Sequence, residues 1–191
     1  MEAPVKEAKV VLDEEALGRT LVRIAHEIVE RNPGLAGLAL VGIHTRGVPL
    51  AQRLRGLIAR LTAVRVPLGT LDITFYRDDV LVRGADAPLH SQPVVRATEL
   101  PFPLQGATCV LVDDVLHTGR TIRAAIEALF AYGRPARVQL ACLVDRGHRE
   151  LPIRPDYVGK NLPSAPGERV QVQLVEVDEV DSVLLATGGR S

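Results

Sequence analysis

The chain predicts an α/β fold: a mostly parallel, twisted sheet flanked by helices. Three observations predict it. Leu35–Ile43 is a continuous apolar run, and Thr108–Val112 and Val138–Val144 are apolar except for Thr108 and Gln139, the pattern of strands buried on both faces. Segments with helical spacing of apolar residues alternate with them, as in a doubly covered parallel sheet. Two of the runs end directly in polar, glycine-containing motifs, at the carboxyl ends of strands where such sheets bind ligands.

The elements follow in order. Asp13 can cap a helix running to about Asn32, with Leu17, Leu21, Ile24, Ala25, Ile28 and Val29 on one face. Pro33-Gly34 stops it. Leu35–Ile43 is the first buried strand, Val48–Leu61 a helix, and Val64–Phe75, rich in β-branched residues, a strand. From about 76 to 106 the pattern breaks into charges, Gly84 and four prolines. A loop of that length inside a compact domain is usually functional, often a lid. The strand Thr108–Val112, a helix Thr118–Tyr132 and the strand Val138–Val144 come next. A short strand near Tyr157-Val158 and a half-exposed strand Val170–Val175 follow. The tail past Asp181 is expected to be loosely held.

With 191 residues, one domain spanning the chain is expected. Equal numbers of acidic and basic residues, 23 each, exclude a chain that binds polyanions by its overall charge. Any nucleic-acid role must rest on a local patch. Lysine occurs only at Lys6, Lys9 and Lys160, so arginine carries most of the positive charge. Cys109 and Cys142 lie inside apolar runs without a C-x-x-C spacing and read as buried reduced thiols of a cytoplasmic protein. Met1–Lys9 is too charged for a signal peptide, and no apolar run approaches the roughly 20 residues that span a bilayer. A nucleotide kinase or hydrolase of the G-x-x-x-x-G-K-[ST] type is excluded by the absence of that loop.

The most informative stretch is Val110-Leu111-Val112-Asp113-Asp114-Val115-Leu116-His117-Thr118-Gly119-Arg120-Thr121-Ile122. A buried strand ends in two carboxylates, and a loop bearing hydroxyls and glycine opens a helix. Backbone N–H groups, Thr118 and Thr121 would sit at the positive end of that helix, where a phosphate binds readily. The paired acids suit the hydroxyls of an attached sugar. The plainer alternative is a strand followed by a helix capped by Thr118. A second motif, Thr45-Arg46-Gly47, follows another strand. Gly47 admits close backbone approach, and Arg46 offers a planar fork of donors for phosphate oxygens; a solvated arginine in a turn is the alternative. Tyr76, Arg77, Asp78 and Asp79, at the start of the long loop, are lid candidates or else an exposed charged turn.

The thirteen-residue string resembles the phosphoribosyl diphosphate signature of the type I phosphoribosyltransferases. Thr45-Arg46-Gly47 is similar to that family's pyrophosphate loop. The likeness runs almost end to end, through Arg23–Glu27, Val41–Gly47, Asp72–Asp79, Gly133–Arg137 and above all Leu143–Asn161, and it matches the PyrR subgroup. That resemblance implies a type I phosphoribosyltransferase fold with a small hood, from parts of 145–181, and a flexible loop at about 76–106. It implies transfer of phosphoribosyl from phosphoribosyl diphosphate to uracil, giving UMP and pyrophosphate. It further implies UMP-promoted binding to a stem-loop in pyr messenger RNA, and homodimers able to pair into tetramers. Mg2+ is the expected cofactor, held by Asp113 and Asp114 through water. In that reading Asp113, Asp114 and Arg46 carry catalysis. His117 stands where purine-transferring relatives have an aspartate proposed as the acid/base, so it is either an acid/base here or a phosphate contact.

For RNA, Arg19, Arg23 and His26 share a helix face about 180° from the apolar stripe, with Arg31 at the helix end. Arg146, Arg149, Arg154 and Lys160 add charge later in the chain, and the family uses matching positions, notably His26, Arg149, Arg154 and Lys160. If both segments share one surface they form a phosphate-binding patch; otherwise they are two solvated faces laced by glutamates. Scarce aromatics point to a structured stem-loop rather than a stacked single strand. The segment after Val144 and the stretch 156–170 are expected to cover the base. Two other readings stay open: a transferase for purines or another base, and an RNA-binding protein that only senses UMP.

Overall fold

The computed structural model describes residues 8–76, 96–165 and 167–187. The elements run β1 (Ala8–Leu12), α1 (Glu14–Arg31), β2 (Leu38–Ile43), α2 (Gly47–Thr62) and β3 (Leu68–Leu71), with a 3-10 turn at Thr74–Tyr76. β4 (Thr108–Leu116), α3 (Arg120–Tyr132), β5 (Arg137–Asp145), β6 (Tyr157–Asn161), β7 (Glu168–Gln173), α4 (Val175–Asp178) and β8 (Ser182–Thr187) complete them. A five-stranded sheet has the order β3-β2-β4-β5-β6, and every pairing in it is parallel.

Alternation along β4 explains the layering. Val110 and Val112 pack with Leu17, Leu21 and Ile28 of α1 and Leu50, Leu54 and Ile58 of α2. Cys109 and Leu111 pack on the other face with Ile122, Ala125, Ala128 and Leu129 of α3. Asp13 caps α1 by accepting from Ala16 N at 2.8 Å, worth about 1 kcal/mol. Leu17, Ile24 and Ile28 are almost wholly buried, each stabilising by about 1.5–3 kcal/mol. Both cysteines are free and buried; burial pushes the Cys109 thiol up to about 11 and the Cys142 thiol higher still, so both stay protonated and unreactive.

Three expectations change. The strand expected over Val64–Phe75 shrinks to Leu68–Leu71, because β2 offers it only Leu40–Ile43 as partners. The loop expected at about 76–106 is not loose at its far end. Glu99 pairs with Thr70, and Leu100, Phe102 and Leu104 pack into the α3-side core. The tail past Asp181 is not loose either. β8 is the middle strand of a second, antiparallel sheet, β1-β8-β7, and Ser182 and Val183 are buried in it. This small sheet therefore draws on residues outside 145–181.

Candidate active site at the carboxyl end of the sheet

The turn after β2 is pressed onto β4. A Cβ at Gly47 would lie 2.2 Å from the Val112 carbonyl oxygen and 3.4 Å from Asp113 Cα, so only glycine lets the two chains meet there. Thr45, Arg46 and Gly47 are thereby fixed beside the twin acids. The His44–Thr45 peptide is cis. β4 does not end at Val112. It continues to Leu116, because Asp113, Val115 and Leu116 pair with Cys142, Val144 and Asp145 of β5. The acids thus project from a paired strand, not from a loop. Asp113 is buried and accepts from Asp114 N at 3.0 Å; Asp114 accepts from Val115 N at 2.7 Å. Burial pushes the Asp114 carboxyl up, and the nearby Arg46 charge pulls it back.

Of the apolar members of the string, Val110, Leu111, Val112, Leu116 and Ile122 are buried in the core and Val115 is partly buried against it; they hold the loop in place. The loop itself is His117–Gly119. Gly119, at φ 93°, is the residue before α3, in a conformation that favours glycine. Thr118 is therefore not the cap residue, although its hydroxyl accepts from Arg120 N at 3.3 Å. Carbonyls of the loop are held from outside: the Thr118 oxygen accepts from Glu150 N and Leu151 N at 2.9 and 3.1 Å. Arg120 pairs with Glu150 at 2.6 Å, and Thr121 is half-buried in the first turn. The His117 ring packs edge-on against His148, with centroids 5.9 Å apart. Partial burial, then the charge of Arg146, lower the His117 pKa, so the imidazole is neutral near pH 7.

Arg46 is not an open fork. Its Nε and Nη2 donate to Asp178 at 3.0 and 2.6 Å, which holds the Asp178 carboxyl below its usual range. Two turns along α2, Arg53 binds Glu176 and Asp181. Sequence spacing did not reveal these acids, because the pairs span more than a hundred residues. One signal was present: the run Glu176–Asp181 carries four acids and no cation, and so needs a basic partner. Tyr76 packs at the edge of the α3-side core; Arg77, Asp78 and Asp79 lie outside the described residues.

The basic residues divide. α1 lies along β6, and Arg23 Nη2 donates to the Val158 and Gly159 carbonyls at 3.0 and 2.5 Å. Arg31 stands 3.6 Å from Asp156 and 5.5 Å from the Tyr157 ring centre. Arg19, Arg23, His26 and Arg31 on α1 are thus brought beside the strand that carries Lys160. Arg154 and Arg149 line a cavity of about 560 Å3 with Asp145, Val158 and Asn161. Arg146 and Arg149 are not free surface cations. Arg146 donates to Ser164 Oγ and the Glu168 carbonyl at 3.0 and 2.9 Å, and Arg149 donates inward to three acceptors.

The phosphoribosyl transferase domain model matches residues 8–179. The Bifunctional protein PyrR of Chloroflexus aurantiacus is 56% identical over 96% of this chain and 97% of its own. That of Brevibacillus brevis is 58% identical over 91% and 94%. The chain belongs to the PyrR group of the phosphoribosyltransferase family. Among solved structures, a Trypanosoma cruzi hypoxanthine phosphoribosyltransferase superposes with a TM-score of 0.69 at 18% identity, over 97% of this chain and 93% of that one. At that identity it shows the shared type I fold. Membership agrees with the parallel sheet, the Asp113–Thr121 string and the turn at Gly47. Among the described residues, no helix is long and apolar enough to cross a membrane. Nor does any group of three or more His, Cys, Asp or Glu side chains among them form a metal cage.

Proposed function

We propose that the two edges at the carboxyl end of the sheet grip opposite ends of one phosphoribosyl diphosphate molecule. The protein is a uracil phosphoribosyltransferase and an RNA-binding regulator of pyrimidine operon expression, of the PyrR type. One contact carries the site reading. Gly47 seats against Val112 and Asp113 with no room for a side chain between them, which supports reading the pyrophosphate-side turn and the twin acids as parts of one site. The N–H groups of the loop before α3, with Thr118 and Thr121, take the 5-phosphate. Asp113 and Asp114 face the ribose. The turn Thr45–Gly47 and the charge of Arg46 take the pyrophosphate.

As the bond from C1 to pyrophosphate breaks, positive charge grows on the sugar ring and negative charge on the leaving group. Fixed carboxylates near the ring and a fixed cation at the other end stabilise both without reorganisation. Two adjacent carboxylates supply few of an octahedral ion's ligands, which suits Mg2+, an ion that keeps water and takes substrate oxygens. Held by Asp113 and Asp114, it would neutralise leaving-group charge. His117, neutral near pH 7, is able to accept a proton at the base or to contact phosphate. Uracil, whose edge needs only a few fixed partners, is assigned on this reading to the cavity beside Asp145 and Asn161.

UMP binds the same loop as the product of transfer, and so acts as the signal for RNA binding. Arg19, Arg23, His26, Arg31, Lys160 and Arg154 present the RNA-facing charge to a stem-loop in pyr messenger RNA. The reading includes a cytoplasmic protein and homodimers able to pair into tetramers. Formation of UMP from uracil and phosphoribosyl diphosphate with Mg2+, against a panel of other bases, tests the enzyme. Gel-shift affinity for a pyr leader stem-loop with and without UMP tests the regulator. Transfer to hypoxanthine or orotate in place of uracil would overturn the substrate assignment, and RNA affinity indifferent to UMP would overturn the regulation.

A further inference from the structure

We infer that Asp178 is a positioning residue for Arg46, holding its guanidinium at the pyrophosphate turn and off the twin acids; the inference rests on the site reading above. That turn has few donors of its own. Of the first N–H groups of α2, Pro49 supplies none, and Leu50 N already donates to the Arg46 carbonyl at 3.3 Å. Gly47 and Val48 are the backbone donors that remain, so the turn depends on where the Arg46 side chain points. Two acids act on that side chain. Asp178 holds it through Nε and Nη2, at 3.0 and 2.6 Å, and Asp114 reaches it by charge. The side-on pair with Asp178 uses one edge of the guanidinium fork and leaves Nη1 for a phosphate oxygen. Without Asp178, Asp114 is the acid left to attract Arg46. An arginine drawn to Asp114 would be withdrawn from the leaving group, and the acid facing the ribose would be neutralised. Asp178 thus keeps apart two opposite charges that the reaction needs at opposite ends of one substrate.

Asp178 can aim Arg46 because it is itself immobilised. Its Oδ2 accepts from Leu174 N at 3.0 Å, and its own N–H donates back to the Leu174 carbonyl at 2.6 Å. Leu174 is wholly buried in the core. Glu176 and Asp181, on either side, accept from Arg53 at 2.6–2.8 Å. Arg53 lies two turns beyond Arg46, about 10 Å along the axis of α2. Two arginine forks therefore clasp the segment Leu174–Asp181, which joins β7 to β8, against one helix. The side chains of Arg46 and Asp178 are only 30% and 18% exposed, so water screens the pair weakly. The second sheet thereby reaches the chemistry through one carboxylate, without touching the substrate.

Asp178→Ala, Asp178→Asn, Arg46→Ala and the double variant Arg46→Ala with Asp178→Ala test this. For Asp178→Ala, the KM for phosphoribosyl diphosphate and the inhibition constant of added pyrophosphate should both rise on the order of tenfold. The KM for uracil should stay within about twofold of wild type. Asp178→Asn fills the same space and keeps an acceptor for Leu174 N, so it preserves the segment if alanine does not fold. Having lost the charge, it should shift both constants in the same direction by a smaller factor. Because Asp178 acts through Arg46, the double variant should match Arg46→Ala alone and not multiply the two losses. Melting curves of all four report folding. Wild-type constants in Asp178→Ala and Asp178→Asn would overturn the inference. Tighter pyrophosphate binding in either would also overturn it, and would make Asp178 a competitor for the Arg46 fork. So would losses that multiply in the double variant, which place the effect of Asp178 elsewhere than on Arg46. If added pyrophosphate does not inhibit the wild type and Arg46→Ala leaves the KM for phosphoribosyl diphosphate unchanged, the site reading itself fails, and the inference with it.

Discussion

On the proposed reading two regions of the molecule carry charge for phosphates, and they are built differently. At the carboxyl end of the sheet, Asp113 is buried, Arg46 is fixed by two hydrogen bonds to Asp178, and the loop carbonyls are tied down. Along α1, Arg19 is 65% exposed beside a Glu15 that is 83% exposed. Chemistry on a sugar needs charges already aimed before the substrate arrives, in a place where water does not screen them. Binding a folded RNA needs charges that can shed loose partners and counterions. On that reading rigid, partnered groups serve the reaction, and solvated ones serve the polyanion.

The largest test of that division is at the acids. Asp113→Asn or Asp114→Asn should lower turnover by about a hundredfold or more, with RNA affinity within about twofold of wild type. Steady-state kinetics and a gel shift on the same preparation measure both. Equal losses would mean that the two regions are one site. Next is Gly47→Ala. Its Cβ would sit 2.2 Å from the Val112 oxygen, so the turn must move away from β4. A loss of about 1–3 kcal/mol in unfolding free energy and a raised KM for phosphoribosyl diphosphate are expected. An alanine variant with wild-type kinetics would show that the turn need not touch β4 for the reaction.

Much of this was legible in the sequence, and what was not has a physical reason. Asp13, the apolar stripe of α1 and the runs that became β2, β4 and β5 are local patterns, and local patterns survive folding. The string Val110–Ile122 announced a strand, a glycine-bearing loop and a helix for the same reason. The limit of β4 was misjudged because acids are poor strand formers in isolation, whereas pairing with Cys142–Asp145 overrides that preference. β8 was read as a loose tail because its two neighbours lie at opposite ends of the chain. Arg149 and Arg19 look alike in sequence. Only the fold places one among carbonyl acceptors and leaves the other in water.

Smaller effects sharpen the exposed side. Lys160→Ala and Arg19→Ala should each weaken RNA binding a few-fold and reduce the slope of log affinity against log salt by about one. Turnover should not change. A variant with unaltered salt slope would remove that residue from the phosphate-facing set. Arg23→Ala should cost more than either, because its guanidinium also holds α1 to the Val158 and Gly159 carbonyls.

The smallest expected effect concerns how the second sheet is fastened to the active-site end. Hydrogen bonds and charge from Arg46 hold Asp178 low, and those from Arg53 hold Glu176 and Asp181 low. A carboxylate whose folded pKa lies below its unfolded value adds stability above the unfolded pKa and loses it as pH falls through the folded one. The share of stability that these three acids supply should therefore be constant above about pH 5 and fall progressively towards pH 3, read from melting temperatures of wild type and variant. Glu176 is 38% exposed, so solvent screening keeps the Arg53 share to about 1 kcal/mol. In Arg53→Met the two acids titrate nearer their ordinary values, and the acid-induced drop should be shallower than in wild type. Because Arg53 lies two turns from Arg46 on α2, the same variant should leave UMP affinity at pH 7 nearly unchanged. A large loss there would mean that the second sheet aims Arg46 through Arg53 as well as through Asp178, and the rigid region would extend further from the sugar than its buried acids suggest.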